Sequence, residues 1–385
     1  MKTLTGKYAR RESGIELLKI IAIFLIVVNH VIQSLTEVST ALPNADYVIN
    51  ITSNTTSIQT LLIAILRSTG CIGNDIFVIC SAWFLIDSRR CDKRKVSFLV
   101  CNVWTVSVLI LLVTLALGCH PDRDTILKQL FPTSNGNNWF ITCYILLFLI
   151  HPLLNKVIDS LDRRRLLSIA CLMVFLYAIV NYFRPWFFDY APFYMNDLIV
   201  WIMMYFALAY IKKYMPDFCG NTRANVIGLL IGIFGQAAMT VLSDVAGLKF
   251  GTLADRLLYF NYGGSPFIIL LAICAFNLAR KLTFRSSFIN YISSLSLLIY
   301  IIHENYILRG YYRPWIFYYI YNNFGYRVVV LWVLAAAATI FVAAIIVSAI
   351  YNQTIERLVR PVSRRIYDLL AKIWNWLSGK LLKLH

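Results

Sequence analysis

Charge is scarce in this chain of 385 residues: Asp, Glu, Lys and Arg together make up 14%, and only 19 of them are acidic against 36 basic. With 59% hydrophobic residues and a mean hydropathy of +0.67, that scarcity excludes an ordinary soluble domain. The formal net charge of +17 does not point to nucleic acid. That use needs basic residues gathered on one solvated face, and here they fall in short clusters between apolar runs. The nine cysteines contain no C-x-x-C pair, so neither a disulfide framework nor a zinc site is indicated, and no metal is expected. Nor is there an internal repeat of the kind that organises many transporters, or a small-residue cleavage pattern behind the first apolar run. The sequons at Asn50 and Asn54 are too short a motif to carry weight.

What is present is a succession of long apolar runs. They predict an all-α, polytopic membrane bundle of about ten transmembrane helices, at 15–36, 60–86, 97–118, 138–155, 166–183, 196–211, 224–245, 264–279, 287–308 and 328–350. Most of the 36 basic residues fall in alternate connections, which places both termini in the cytoplasm. Residues 1–355 read as one membrane domain. Residues 356–385 interleave Ile366, Leu369, Leu370, Ile373 and Trp374 with Arg364, Arg365 and Lys372, as in an amphipathic cytoplasmic helix lying on the inner leaflet. Membrane lipids are therefore expected partners.

Against this background two histidines stand out. His30 and His303 each follow the start of an apolar run by about 15 residues, roughly 22 Å along a helix. The first and ninth spans run in the same direction, so the two rings share a level in the outer half of the membrane. An ionisable group at that depth is a functional-site hypothesis by default; a structural imidazole bonded to a neighbouring helix is the alternative. Asn29 adjoins His30, although consecutive helix residues point in different directions. Glu304 and Asn305 follow His303, as part of a catalytic group or as an interfacial trio. His151, before Pro152, reads as a helix-end residue.

The second span exceeds the length of a straight crossing and contains Arg67, Gly70, Gly73 and Asp75. It is expected to tilt, or to break near Gly70 to Gly73, with Arg67 outward and Asp75 buried beside a partner. At its inner end Arg89, Arg90, Lys93, Arg94 and Lys95 form the densest basic cluster in the chain, suited to topology and lipid headgroups or to a phosphate-rich cytosolic ligand. The aromatic segments 184–194 and 309–319 read as interfacial belts or as platforms for sugar rings.

Several stretches resemble, in order, the membrane acyltransferase-3 family of the polysaccharide O-acyltransferase type. GIELLKIIAIFLIVVNH places Lys19 eleven positions before His30, as a basic residue precedes the family's histidine. GNDIFVICSAWFLI at 73–86 matches the family at Asp75, Phe77 and Ser81, and Arg90-Cys-Asp-Lys93 with Arg94 stands where members carry Arg-x-x-Arg. NNWFITCYILLFLIHPLLNKVI, SLSLLIYIIHENYI and TIERLVRP resemble later family elements.

The resemblance implies an integral membrane O-acyltransferase of a bacterial plasma membrane. Acyl-CoA, most often acetyl-CoA, would be the donor, and a hydroxyl of a surface glycan or its lipid-linked saccharide precursor the acceptor. Lys19, Arg89, Arg90, Lys93 and Arg94 would hold the donor phosphates. His30 would act as base or transient acyl carrier, with His303 and Asp75 positioning it and Asn29, Arg67 and Glu304 in support. A transporter of a lipid-linked sugar or small solute, using the same intramembrane polar residues, is the competing reading.

Overall fold

The computed structural model describes residues 12–36, 47–49, 58–134, 138–183, 197–250 and 263–381. The two sequons and the aromatic segment 184–194 lie outside them. Among the described residues every regular element is helical and none is a strand.

The chain order begins with α1 (Ser13–Thr36), α2 (Ile58–Leu66), α3 (Thr69–Leu85), α4 (Lys93–Ala116), α5 (Arg123–Leu130) and α6 (Trp139–Ser160). Next come α7 (Arg163–Met173), continued by a π-helical stretch (Val174–Val180), α8 (Asp197–Tyr214), α9 (Pro216–Gly220), α10 (Thr222–Phe250) and α11 (Pro266–Ala279). The remainder comprises α12 (Ser287–Ser294), α13 (Ser296–His303), a π-turn (Leu308–Tyr312), α14 (Arg313–Phe324), α15 (Val329–Gln353) and α16 (Ile355–Leu381). Starts are capped by the residues that favour that position. Asp92 accepts from the Arg94 amide at 3.2 Å, Asp162 from that of Arg165 at 2.8 Å, and Ser265 precedes Pro266 at the head of α11.

Seven helices among the described residues are long and apolar enough to cross a membrane. The expected spans at 196–211, 264–279 and 287–308 take other forms. The first becomes α8, which carries Lys212 and Lys213 in its last turn; the second, α11, has 14 residues, about 21 Å of helix against some 30 Å of hydrocarbon; the third breaks at Leu295.

The second span is broken as well, but at Arg67 and Ser68 instead of near Gly70 to Gly73. The hydroxyls of Ser68 and Thr69 donate to the carbonyls of Ile65 and Leu66, each at 2.7 Å, and so compete with the helical ladder at that point. The glycines serve packing instead, and let α3 lie directly on α1. A Cβ at Gly70 would collide with the Asn29 side chain, and one at Gly73 would meet Ile26 Cγ1 at 2.7 Å.

Helix α1 is the axis of the bundle, in contact with α3, α11, α12, α13 and α15, and Ala22, Ile23, Ile26, Val27, Val31 and Ile32 are buried along it. Polar clips fix its register against α12. Ser13 Oγ donates to Asn290 Oδ1 at 2.9 Å, and Ser293 Oγ donates to Glu16 Oε2 at 2.5 Å. This register decides what faces His30.

Candidate active site

His30 and His303 do meet. His30 Nδ1 lies 2.9 Å from His303 Nε2 and 3.0 Å from Glu304 Oε2. His303 Nδ1 lies 2.6 Å from the carbonyl of Ile299, which can only accept, so His303 carries a proton on Nδ1. With both rings neutral, His303 Nε2 is an acceptor. The Glu304 carboxylate is another, so His30 must present its proton on Nδ1 to these two groups. The lone pair of His30 is then on Nε2, which takes part in no hydrogen bond among the described residues. This is the arrangement of an oriented general base, a ring fixed through one nitrogen by an acceptor and free at the other.

Glu304 is the hub of the cluster. The break in helical geometry after His303 and the π-turn at Leu308–Tyr312 bring two guanidinium groups back onto it. Arg309 Nη1 donates to Glu304 Oε1 at 3.0 Å and Arg313 Nη1 to Oε2 at 3.5 Å. Arg313 also donates to the His30 carbonyl at 3.1 Å, to Ser34 Oγ at 3.3 Å and, through Nη2, to the His303 carbonyl. One buried arginine therefore ties the backbone of both histidines to a single carboxylate. Removing one member of such a group leaves an uncompensated buried charge, at a cost of about 3–5 kcal/mol.

The hub is fastened from outside by α5. Gln129 and Asn305 exchange amide hydrogen bonds at 3.2 and 2.9 Å, and Lys128 Nζ donates to the Tyr306 hydroxyl at 3.1 Å. Asp122 caps α5, and the Thr125 amide and hydroxyl hold its carboxyl below the usual range.

The nearest ligand atoms of His30, His303 and Glu304 lie within 4.8 Å of one another, a spacing a metal ion could use. Yet Arg309 and Arg313 already engage both oxygens of Glu304, and their positive charge opposes a cation there. The trio is better suited to moving a proton.

The remaining expected site residues separate into two groups. Arg67 and Asn29 pair with each other beside the cluster: Arg67 Nη1 donates to Asn29 Oδ1 at 2.7 Å, which fixes the residue that precedes His30 in the chain. Asp75 is buried on α3, but among the described residues no hydrogen bond or ion pair connects it to either imidazole and its Oδ2 has no partner; a Cβ on Gly263 would stand 3.3 Å from its Oδ1. His151 is fully buried inside α6, with Nδ1 2.6 Å from Phe148 O and Nε2 without a partner among the described residues.

Beneath the histidines lies a cavity of about 440 Å³. Its near end is lined by Ile26, one turn before His30, and by Tyr300, whose ring centroid is 6.3 Å from that of His30 and 6.0 Å from that of His303. Phe140 and Trp201, 4.9 Å apart, form a wall. Toward the basic end of the bundle it shares Lys19, Ser81, Lys95 and Tyr144 with a second cavity of about 820 Å³, which opens beside Arg280.

Lys19 is thus where the sequence expects a basic residue to be, in an ion pair with Glu16 at 2.7 Å. Of the basic cluster at 89–95, Lys95 lines the opening and the other four do not. Arg89 pairs with Asp159, Arg94 lies 3.6 Å from Asp368 and over the Tyr367 ring, Lys93 lines a groove between α4 and α16, and Arg90 is exposed. Lys95 and Arg280 line the opening in their place. Neither has an ion-pair partner among the described residues, and Arg280 is stacked 4.1 Å from the Trp83 ring centroid. The clustering of charge lies at the end of α4 nearest this opening, but only the rotation of that helix decides which side chain faces inward.

A family model described as an acyltransferase domain, acyltransferase-3, matches residues 12–348, and the chain belongs to that family. No curated protein and no solved structure matches it. It is therefore a multi-pass membrane acyltransferase, and the matched region contains His30, His303, Glu304, Arg309, Arg313 and both cavities.

Proposed function

We propose that this acyltransferase transfers an acyl group, acetyl in the simplest case, from acyl-CoA to a hydroxyl of a surface polysaccharide or its lipid-linked precursor. The observation that carries this reading is the orientation of His30, with Nδ1 held against His303 and Glu304 and Nε2 left as a base above a cavity that leads to uncommitted cations. A sugar hydroxyl is a poor nucleophile at neutral pH. His30 Nε2 takes its proton as the oxygen attacks the thioester carbonyl, and the carboxylate of Glu304 steadies the imidazolium that forms. The tetrahedral intermediate then collapses to the ester, and the departing CoA thiolate recovers the proton from Nε2.

The donor enters from the basic end, which the positive-inside rule assigns to the cytosol. Its phosphates meet Lys95 and Arg280 at the opening, and the pantetheine arm passes Lys19 on the way to Tyr300. From Lys19 to His30 is about 16 Å along α1, a distance the extended arm can span.

The test is transfer of labelled acetyl from acetyl-CoA to the endogenous acceptor in membranes of the protein's own cells. His30→Ala is expected to lower the rate by a factor of about 10²–10⁴, the usual contribution of a general base. Full transfer by that variant at an unchanged protein level would overturn the assignment. Transfer by the wild type from another acyl carrier, with acetyl-CoA inert, would overturn the donor.

A further inference from the structure

Four hydroxyl-bearing residues that precede His303 line the cavity: Ser293, Ser294, Ser296 and Tyr300. Their hydrogen bonding differs in a way that singles out two of them. Ser293 is occupied by Glu16, and its exposed neighbour Ser294 by the carbonyl of Tyr291 at 2.6 Å. Ser296 and Tyr300 are each only 6% exposed, and neither hydroxyl has a partner: Ser296 Oγ is buried and unbonded, and the Tyr300 hydroxyl makes no hydrogen bond among the described residues. Buried polar groups in folded proteins are paired as a rule, so the orphaned Ser296 Oγ, with the unengaged Tyr300 hydroxyl one turn on along the same cavity wall, calls for a ligand.

We infer that Ser296 and Tyr300 form the subsite for the last amide and the thioester carbonyl of the donor's pantetheine arm. This rests on the acyl-CoA reading above. The two residues stand at i and i+4 on α13, on one face and about 6 Å apart along the axis, with His303 a further turn on. That spacing is comparable to the separation of the terminal pantetheine amide from the thioester carbonyl. Most of the rest of the wall beneath the histidines is apolar: Ile23, Ile26, Phe77 and Phe140 carry no polar side-chain group, and the indole N–H of Trp201 can donate but not accept. An amide buried there would be costly without a partner. Ser296, which both donates and accepts, serves the amide, and the Tyr300 hydroxyl donates to the thioester oxygen. A carbonyl held by Tyr300 lies directly below the imidazole pair, because the tyrosine ring is the part of the wall that neighbours both rings.

The orphaned state of the hydroxyls gives the test its resolving power. A serine that serves the fold has a partner, and its removal lowers Tm. A serine that serves only the ligand can be removed with Tm unchanged or raised. Ser296→Ala is expected to raise the KM for acetyl-CoA about tenfold without lowering Tm, and Tyr300→Phe to lower kcat/KM about 10- to 100-fold, again at constant Tm. Inhibition by adenosine 3′,5′-bisphosphate, which has the nucleotide end of the donor but no arm, should be the same in both variants as in the wild type, whereas inhibition by CoA should weaken.

An unchanged KM and kcat/KM in both variants would overturn the inference. So would a fall in Tm on Ser296→Ala, or a parallel loss of inhibition by the bisphosphate. If wild-type membranes transfer nothing from acetyl-CoA, the donor reading fails and takes this one with it. If they do transfer and the variants are indistinguishable from the wild type, only the subsite is wrong.

Discussion

The two ends of the internal path are built on opposite principles. Around Glu304 the ionic groups are committed: the carboxylate is held by two guanidinium groups and His30 Nδ1, and Arg313 spreads its donors over four acceptors. At the opening, Lys95 and Arg280 line the cavity in no ion pair among the described residues, while Glu16, which also lines it, is paired with Lys19. A buried, fully bonded cluster fixes the orientation of a reactive ring, and uncommitted cations on a wet rim are free to meet a charged substrate. One end is organised before the substrate arrives, and the other becomes organised by the substrate.

The largest break in this contrast should come from Glu304→Gln. The glutamine retains the shape but leaves Arg309 and Arg313 without their anion, so acyl transfer is expected to fall about 10²-fold or more. Thermal unfolding of the purified protein should show a lower Tm. A normal rate would mean that the carboxylate does not orient His30. Gly70→Ala comes next, since it adds a Cβ where the Asn29 side chain lies. The overpacking is expected to cost about 1–3 kcal/mol, visible in denaturation, and to lower activity through displacement of α1 beside His30.

Lys95→Ala combined with Arg280→Ala probes the other end. The KM for acetyl-CoA should rise about tenfold and depend less on salt than in the wild type, with kcat nearly constant, because only substrate attraction is lost. The smallest effect is expected from Arg89→Ala and Arg94→Ala. Their ion pairs are largely exposed, so each contributes about 0.5 kcal/mol or less, and donor KM measured at constant salt should hardly move. A large rise there, with none at Lys95 and Arg280, would return the donor site to the 89–94 cluster.

How much of this was legible in the sequence depended on the distance over which each feature is determined. The shared level of His30 and His303 followed from helix rise and direction alone, and the two rings are in contact. The breaks in the second and ninth spans were harder to place, because the competition between Ser or Thr hydroxyls and the ladder is local and leaves apolar periodicity intact. Arg309 and Arg313 were missed as site residues. Their segment reads as an aromatic belt, and only the π-turn at Leu308–Tyr312 folds it back on Glu304. The spacing of these arginines, five and nine residues after an intramembrane acid, was the available signal. Ser296 and Tyr300 were visible only as members of the stretch SLSLLIYIIHENYI, by its resemblance to a family element; that the Ser296 hydroxyl is buried without a partner is a property of the packed structure.

The cavity that rises from Lys19 stops at Ile26 and Tyr300, and neither histidine lines it. Seen as an electrical element, that partition is an insulator. A membrane enzyme with a titratable pair across a continuous water path would conduct protons and run down the gradient its cell maintains. With Ile26 and Tyr300 at the near end of that cavity, the proton-transfer group stands beyond its lining and not within it.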